Sequence, residues 1–493
     1  MEMKFYPAIG LEVHVHLKTR TKLFCPCLNE FGAPPNTNIC PICTGQPGVL
    51  PAINKKAVEL ALRTAIALNF KISPHSVFAR KNYFYPDLPK NYQISQYELP
   101  LGRDGYLEIN LKEDIIKKIR IQRIHLEEDA GKLLHAIGSQ ELPYSLVDFN
   151  RAGIPLLEIV TAPDITSPEE AYLFLQELKK ILQYLEVSDC DMEKGNLRCD
   201  ANVSVSTVEG KLGVKTEVKN MNSFKAIKEA LTYEINRQIE LIKSGEEIIQ
   251  ETRLWNDKTS STSSMRTKEY AHDYRYFPEP DLPPMEFSEE FIEEIRKTLP
   301  ELPDAKLKRL MEFYKLSRYD ATVLTGDKNI ANFYEDTVKE LLLLSEKVNL
   351  PKEKIYEMTS NWITTELLGY LNKAGIEIKD CRITPKMLAE LISFIFDGTI
   401  SGKIAKAVFS EMCDTGELPR NIITKKGLIQ ITDEDALLEI IDEVIRENPK
   451  AVEEYCGGKE KALGALVGAV MKKTAGKANP QLVNKLLKER IIK

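Results

Sequence analysis

The sequence predicts an α+β chain in three unequal parts: a large mixed body, an all-helical middle and a small helical tail. Two observations predict the division. All six histidines and six of the nine cysteines lie before residue 273, so chemistry-bearing side chains are concentrated in the first part. A proline cluster, Pro278, Pro280, Pro283 and Pro284, then interrupts the chain where neither a helix nor a central strand continues, and it reads as a linker or extended strap. Beyond the cluster, apolar residues recur at helical spacing with Pro and Gly as punctuation. A 493-residue chain agrees with this division, at about three domains on the length prior. The expected boundaries are 1–293, 294–405 and 406–493.

Within the body, Gly10-Leu-Glu-Val-His-Val-His16 and Lys215-Thr-Glu-Val-Lys219 alternate and read as strands with one polar face. Lys55 to Leu68 has the helical period. Ser167-Pro-Glu-Glu170 opens a helix, with a capping hydroxyl, Pro at the first helical position and early acids. In the middle part, breaks fall at Leu299-Pro300, Gly326-Asp327, Leu350-Pro351 and Asp397-Gly398. The last segment, 451–493, holds nine Lys/Arg (459, 461, 472, 473, 477, 485, 488, 490 and 493) against four acids. That surplus is either a solvated helix surface or a contact for backbone phosphates.

The whole chain carries a formal charge of −6, so no global basic field marks a nucleic-acid partner, though a local patch suffices. No run of 18 apolar residues occurs, which excludes a spanning helix, and the first residues leave no room for a signal or transit peptide. Nine cysteines in so long a chain do not make a disulfide scaffold; a reducing, cytoplasmic setting is expected.

Four of those cysteines form two close pairs, Cys25-Pro-Cys27 and Cys40-Pro-Ile-Cys43. Two pairs of thiolates on tight Pro- and Gly-bounded turns wrap one tetrahedral Zn²⁺. With every coordination place filled by protein the site is structural; four unrelated free thiols are the alternative. A second group consists of acids on short strands. The spacing puts Glu12, His14 and His16 on one side of their strand. His125-Leu-Glu127-Glu128-Asp129 supplies consecutive acids, Glu158 stands in an apolar strand, and Asp200 follows Arg198-Cys199. Hard oxygen donors at a cleft suit Mg²⁺ with phosphates completing the shell. Singly, each acid is a surface charge or ion-pair partner; together they form a site only where their strands converge. No phosphate-binding G-x-x-x-x-G-K-[ST] loop, no G-x-G-x-x-G and no G-x-S-x-G nucleophile elbow occurs.

Several strings are familiar as a set. Ile9-Gly-Leu-Glu-Val-His-Val-His16, Arg80-Lys-Asn-Tyr-Phe-Tyr-Pro-Asp87, His125-Leu-Glu-Glu-Asp-Ala-Gly-Lys132, Ser145-Leu-Val-Asp-Phe-Asn-Arg151, Arg198-Cys-Asp-Ala-Asn202 and Asp273-Tyr-Arg-Tyr-Phe-Pro-Glu-Pro-Asp281 stand in order along the body. They resemble the GatB family, the B subunits of the tRNA-dependent Asp/Glu amidotransferase. The end, Gly464-Ala-Leu-Val-Gly-Ala-Val-Met-Lys472 and Gly476-Lys-Ala-Asn-Pro-Gln-Leu482, is similar to the YqeY-like tail of that family.

The resemblance implies a cradle domain with a kinase and transamidase site, a helical domain, and a tail that touches tRNA. ATP phosphorylates the side-chain carboxylate of Glu-tRNA(Gln) or Asp-tRNA(Asn), and ammonia then displaces phosphate. The ammonia comes through a channel from a separate amidase/glutaminase subunit, while a small third subunit braces the pair. Glu12, His14, Glu127, Glu128, Glu158 and Asp200 match the family's positions around Mg²⁺. Lys81 and Lys132 are candidates to balance phosphate charge, with a plain surface lysine as the alternative for each, and Cys25, Cys27, Cys40 and Cys43 match the branch that carries zinc. His16 departs from relatives with Glu there and is left out of the set. The competing expectation is a non-catalytic, zinc-containing tRNA-binding scaffold of the same complex.

Overall fold

The computed structural model describes residues 3–112, 115–138, 140–267, 271–345, 351–428, 434–474, 478 and 480–491. The chain forms two compact units, Met1–Leu302 and Pro303–Lys493.

The first unit is built on a nine-stranded sheet. Its five central strands carry the site: β1 (Tyr6–His16), β2 (Ile115–Glu128), β3 (Pro155–Thr161), β4 (Leu197–Ser206) and β5 (Thr216–Lys219). They lie side by side in the order β5-β4-β1-β3-β2, each antiparallel to the next in this row, with β1 in the middle of the whole sheet. Alternation along β1 sends Ile9, Leu11, Val13 and Val15 into the core, each no more than 1% exposed. That apolar face joins one continuous core with helices α1 (Lys55–Ala67), α2 (Pro168–Tyr184) and α3 (Phe224–Ser244). The expected start of α2 is present in full: the Ser167 side chain accepts from the Glu170 N–H, with Pro168 at the first turn.

The proline-rich segment does not leave the unit. It runs back across it as a strap, pairing Phe277 and Pro278 with Arg80 and Ala79, and Met285 with Ser76. Pro278 sits on the outer strand of a three-stranded sheet, where its missing N–H breaks no ladder. The middle strand of that sheet, Ala79–Asn82, carries Lys81, and the third is Tyr92–Ser95.

The elements of the second unit named along its described residues are helices, from Pro303–Glu312 to Pro480–Ile491. It holds two separate apolar cores, one running from Leu310 to Ile423 and one from Leu437 to Leu487. Helix Gly402–Thr415, which spans residue 405, contributes Ala405, Val408 and Met412 to the first of them. The fold is the α+β arrangement the sequence predicts.

Candidate active site

The polar face of the central strands is a row of charged groups set by strand register. Glu12 stands opposite Asp200 on β4, and His14 stands opposite Glu158 on β3. Glu158 in turn stands opposite His125 on β2. The side chains meet across the row. His14 Nε2 lies 3.5 Å from Glu158, 3.6 Å from Glu12 and 3.9 Å from Glu127. His125 Nε2 lies 3.3 Å from Glu158 and 3.7 Å from Glu127. Glu127 accepts from the Ser95 hydroxyl at 2.9 Å, and Lys219 donates to Asp200 at 2.6 Å. The row opens into a cleft of about 860 Å³ lined by Glu12, Lys81, His125, Glu127, Glu158 and Lys219, among others.

Burial and crowding set the protonation states. Burial pushes the Glu12 carboxyl up, with Glu158 and Asp200 adding to it. For Glu158, burial acts in the same sense but is outweighed by His125 and His14, so its carboxyl is held well below the usual range. Burial would lower both imidazoles; Glu158 foremost, with the other carboxylates, overrides it and holds each at about 9. Lys81 and Lys219 are likewise raised despite burial, Lys81 by Tyr276, Glu127 and Glu158, Lys219 by Asp200 and Glu217. Two lysines thus stand among the carboxylates, and the same carboxylates favour the protonated form of both imidazoles.

Of the predicted set, Glu12, His14, Glu127, Glu158 and Asp200 come together in this row, and Lys81 faces them from the small sheet, its ammonium 4.8 Å from the Tyr274 ring centre. Two do not join. Glu128 follows Glu127 on a strand, so it points the other way; its carboxylate pairs with Lys90 at 2.5 Å and accepts from the Ile94 N–H at 2.9 Å. Lys132 is exposed on the hairpin strand Lys132–Ile137, opposite Asp148 and outside the cleft lining. His125 and Lys219 belong to the row and were missed. The signal for His125 was present: it precedes Glu127 by two residues, the same alternation that groups Glu12 with His14. His16, left out, braces Asp129 at 2.7 Å together with Arg198 at 2.8 Å.

The donor set fits a cation. Glu12, His14 and Glu158, and also His125, Glu127 and Glu158, bring one ligand atom each to within 4.8 Å of one another. His125 Nδ1 is buried without a hydrogen-bond partner. A separate cluster is formed by Cys25, Cys27, Cys40 and Cys43, whose four sulfurs also lie within 4.8 Å of one another. The Cys43 sulfur accepts from the Cys40 N–H at 3.2 Å, and the Lys22 ammonium lies 3.6 Å away. The Cys25 thiol, then the Cys40 N–H and Lys22, outweigh burial and lower the Cys43 thiol to about 4, while Cys43 and burial push the Cys25 thiol up, so the thiolate of the pair is Cys43.

Carboxylates, imidazoles and lysines gathered on a sheet beside a cysteine knuckle define a domain class. Residues 7–293 match the GatB/GatE catalytic domain and residues 345–491 match the GatB domain. The chain is 56% identical to the B subunit of the aspartyl/glutamyl-tRNA(Asn/Gln) amidotransferase of Carboxydothermus hydrogenoformans, over the whole of both proteins. The subunits of the same name from Thermodesulfovibrio yellowstonii and Thermotoga neapolitana are 55% and 52% identical, over 98% and 99% of this chain and 99% of each of theirs. The chain belongs to this GatB family of amidotransferase subunits.

Proposed function

We propose that the cleft phosphorylates, with ATP, the side-chain carboxylate of Glu-tRNA(Gln) or Asp-tRNA(Asn), and then converts the acyl phosphate to the amide. In the first step a carboxylate oxygen bonds to the γ-phosphorus and the bond to ADP breaks. In the second, ammonia nitrogen bonds to the carbonyl carbon, the bond from that carbon to the phosphate oxygen breaks, and the proton lost from nitrogen ends on the departing phosphate. A carboxylate is a poor acyl donor because oxide would be its leaving group; phosphate departs readily.

The observation that carries this reading is the convergence of Glu12, His125, Glu127 and Glu158 at one cleft, with His14 against Glu12 and Glu158 and with Lys81 and Lys219 at the sides. Glu12, Glu127 and Glu158, with the two imidazoles, would hold Mg²⁺, whose charge reduces repulsion between ATP phosphates and the substrate carboxylate. Lys81 and Lys219 present fixed cations to the anionic substrates, and neither leaves the cleft wall to do so. The relatives are named as subunits of an amidotransferase, which supports an ammonia supply from a separate glutaminase subunit, with a small third subunit completing the complex.

The cysteine cluster we assign to structural Zn²⁺, since four thiol ligands leave no open position. All nine cysteines are unpaired, which supports a cytoplasmic setting, and among the described residues no helix is long and apolar enough to cross a membrane. We propose three functional parts, the cradle (1–293), a helical domain and a tRNA-binding tail. Helix Gly402–Thr415 shares its core with the preceding helices, which supports a boundary for the tail later than 406. In the tail Lys459, Lys473, Lys485 and Arg490 are paired with acids. Lys461, Lys472 and Lys488 are exposed and have no ion-pair partner among the described residues, which supports them as the phosphate contacts; Lys477 and Lys493 lie outside those residues.

The test is the Glu12→Gln/Glu158→Gln double variant in the assembled complex, assayed for ATP-dependent phosphorylation of mischarged tRNA and for tRNA affinity. Loss of phosphorylation with unchanged affinity is expected. Intact turnover would instead favour the non-catalytic scaffold.

A further inference from the structure

Glu128 is a buried carboxylate next in sequence to the cleft acid Glu127, yet it serves the cysteine knuckle's side of the strand. It borders a cavity of about 200 Å³ whose other walls include Cys25, Cys43, Gly45 and Lys90. The Lys90–Glu128 pair is itself buried, with side chains 12% and 3% exposed. Lys90 is in turn seated on the knuckle. Gly45, with φ +67°, closes the turn after Cys43, and a Cβ there would come within 2.5 Å of the Lys90 Cγ and 3.1 Å of its Cα. No side chain fits between the two.

A second tie reaches the same strand end from the other flank. Gly153, with φ +86°, is packed so that a Cβ there would lie 3.5 Å from both the Cys43 Cβ and the Lys22 Cδ. Its N–H donates to the Asp129 carbonyl at 2.9 Å, and its own carbonyl accepts from the Leu23 N–H at 2.9 Å. Residues 128 and 129 are therefore both tied to the knuckle. Strand Tyr92–Ser95 carries the restraint through to the cleft, since Ile94 N–H holds the Glu128 carboxylate while the Ser95 hydroxyl holds that of Glu127.

We propose that the cysteine knuckle positions Glu127 for cation binding in the cleft, and that Lys90 is the positioning residue that transmits it. This rests on the reading of the cleft as a Mg²⁺ site. Lys90 touches neither substrate nor metal; it fixes where a metal ligand stands. Because a loosened outer shell costs metal affinity, the removal of Lys90 is to be read at the metal.

The experiment uses the assembled complex and Mn²⁺ as probe, followed by electron paramagnetic resonance, with zinc content measured on the same samples. Mn²⁺ bound by the wild type and lost in Glu158→Gln places the probe in the cleft. Lys90→Met is expected to weaken Mn²⁺ binding about 10- to 100-fold with zinc content unchanged, and Lys90→Arg to restore it. Gly45→Ala, which displaces Lys90 without removing its charge, is expected to weaken Mn²⁺ binding in the same direction. A folded, zinc-loaded Lys90→Met complex that binds Mn²⁺ within about twofold of wild type overturns the relay. If that variant does not accumulate, wild-type Mn²⁺ affinity in Gly45→Ala overturns it equally. A wild type that binds no Mn²⁺ in the cleft overturns the cleft reading, and the relay with it, which separates the two failures.

Discussion

The strap that closes the first unit is fastened most deeply by the Arg80–Glu279 ion pair, beside the more exposed Arg80–Asp281 and His75–Glu286 pairs, and removing Arg80 gives a measurable opening. Arg80 donates to both carboxylate oxygens of Glu279 at 2.8 Å, and its guanidinium sits 4.2 Å over the Tyr92 ring. The Glu279 side chain is fully buried and that of Arg80 is 20% exposed. Arg80→Met leaves the carboxylate in place without its cation. Stranding one member of a buried pair costs about 3–5 kcal/mol. Here the lower end applies, because Glu279 still accepts from the Asp281 N–H at 3.0 Å. About 3 kcal/mol corresponds to an open population raised by roughly two powers of ten. Hydrogen exchange in native conditions reads this directly. The Glu279 and Phe287 amides, which donate to Phe78 and Pro74, should exchange about 100-fold faster in Arg80→Met. Arg80→Met/Glu279→Leu, which removes both charges, should recover most of the protection. Unchanged exchange in the single variant, or a double variant no better protected than the single, would refute the claim that this pair fastens the strap.

Three further outcomes are expected. In the helical unit Glu335 is tied to Arg309 and Lys306, which outweigh the effect of burial and hold its carboxyl at about 2. A depressed carboxyl stabilises the fold above its unfolded value near 4.5 and loses that contribution as pH falls toward 2. Discounted for partial exposure this is about 1–2 kcal/mol, and Glu335→Gln should remove that part of the acid slope in urea unfolding followed by circular dichroism. Replacing Lys461, Lys472 and Lys488 together by Ala should weaken tRNA binding and lower the slope of log K against log salt by about 2–3; an unchanged slope rules out their phosphate contacts. Finally, purified protein should hold one zinc per chain by elemental analysis, and Cys40→Ser should hold none while retaining the far-ultraviolet spectrum of its helices.

How much of this was legible beforehand depends on range in sequence. The helix starting at Pro168 follows from its local cap, and the inward set Leu11, Val13 and Val15 follows from alternation, so both were readable from a few adjacent residues. That Glu12 meets Asp200 and His14 meets Glu158 depends on pairing between segments more than 140 residues apart, which no local pattern specifies. Lys219 was invisible for the same reason, since its partner Asp200 lies on the neighbouring strand. Glu128 is a different kind of miss. Consecutive residues of a strand face opposite ways, so Glu127 and Glu128 never shared a site, and the string of acids hid a periodicity that was there to be applied.

The three consecutive acids therefore have three separate tasks, and the tasks follow from what each already holds. Asp129 shares the cleft face but is saturated: Arg198, Arg151 and His16 outweigh its burial and keep it ionised well below the usual range, so its charge is spent on joining β2 to β1 and β4. Glu128 is spent on Lys90 and the Ile94 amide. Glu127 alone of the three has a hydroxyl as its closest partner, and its two histidine neighbours stand beyond 3.5 Å. A cation arriving in the cleft competes there with one neutral donor and two displaceable protons, whereas at Asp129 it would have to displace two guanidinium groups. The flanking acids thus make Glu127 both available and fixed in place.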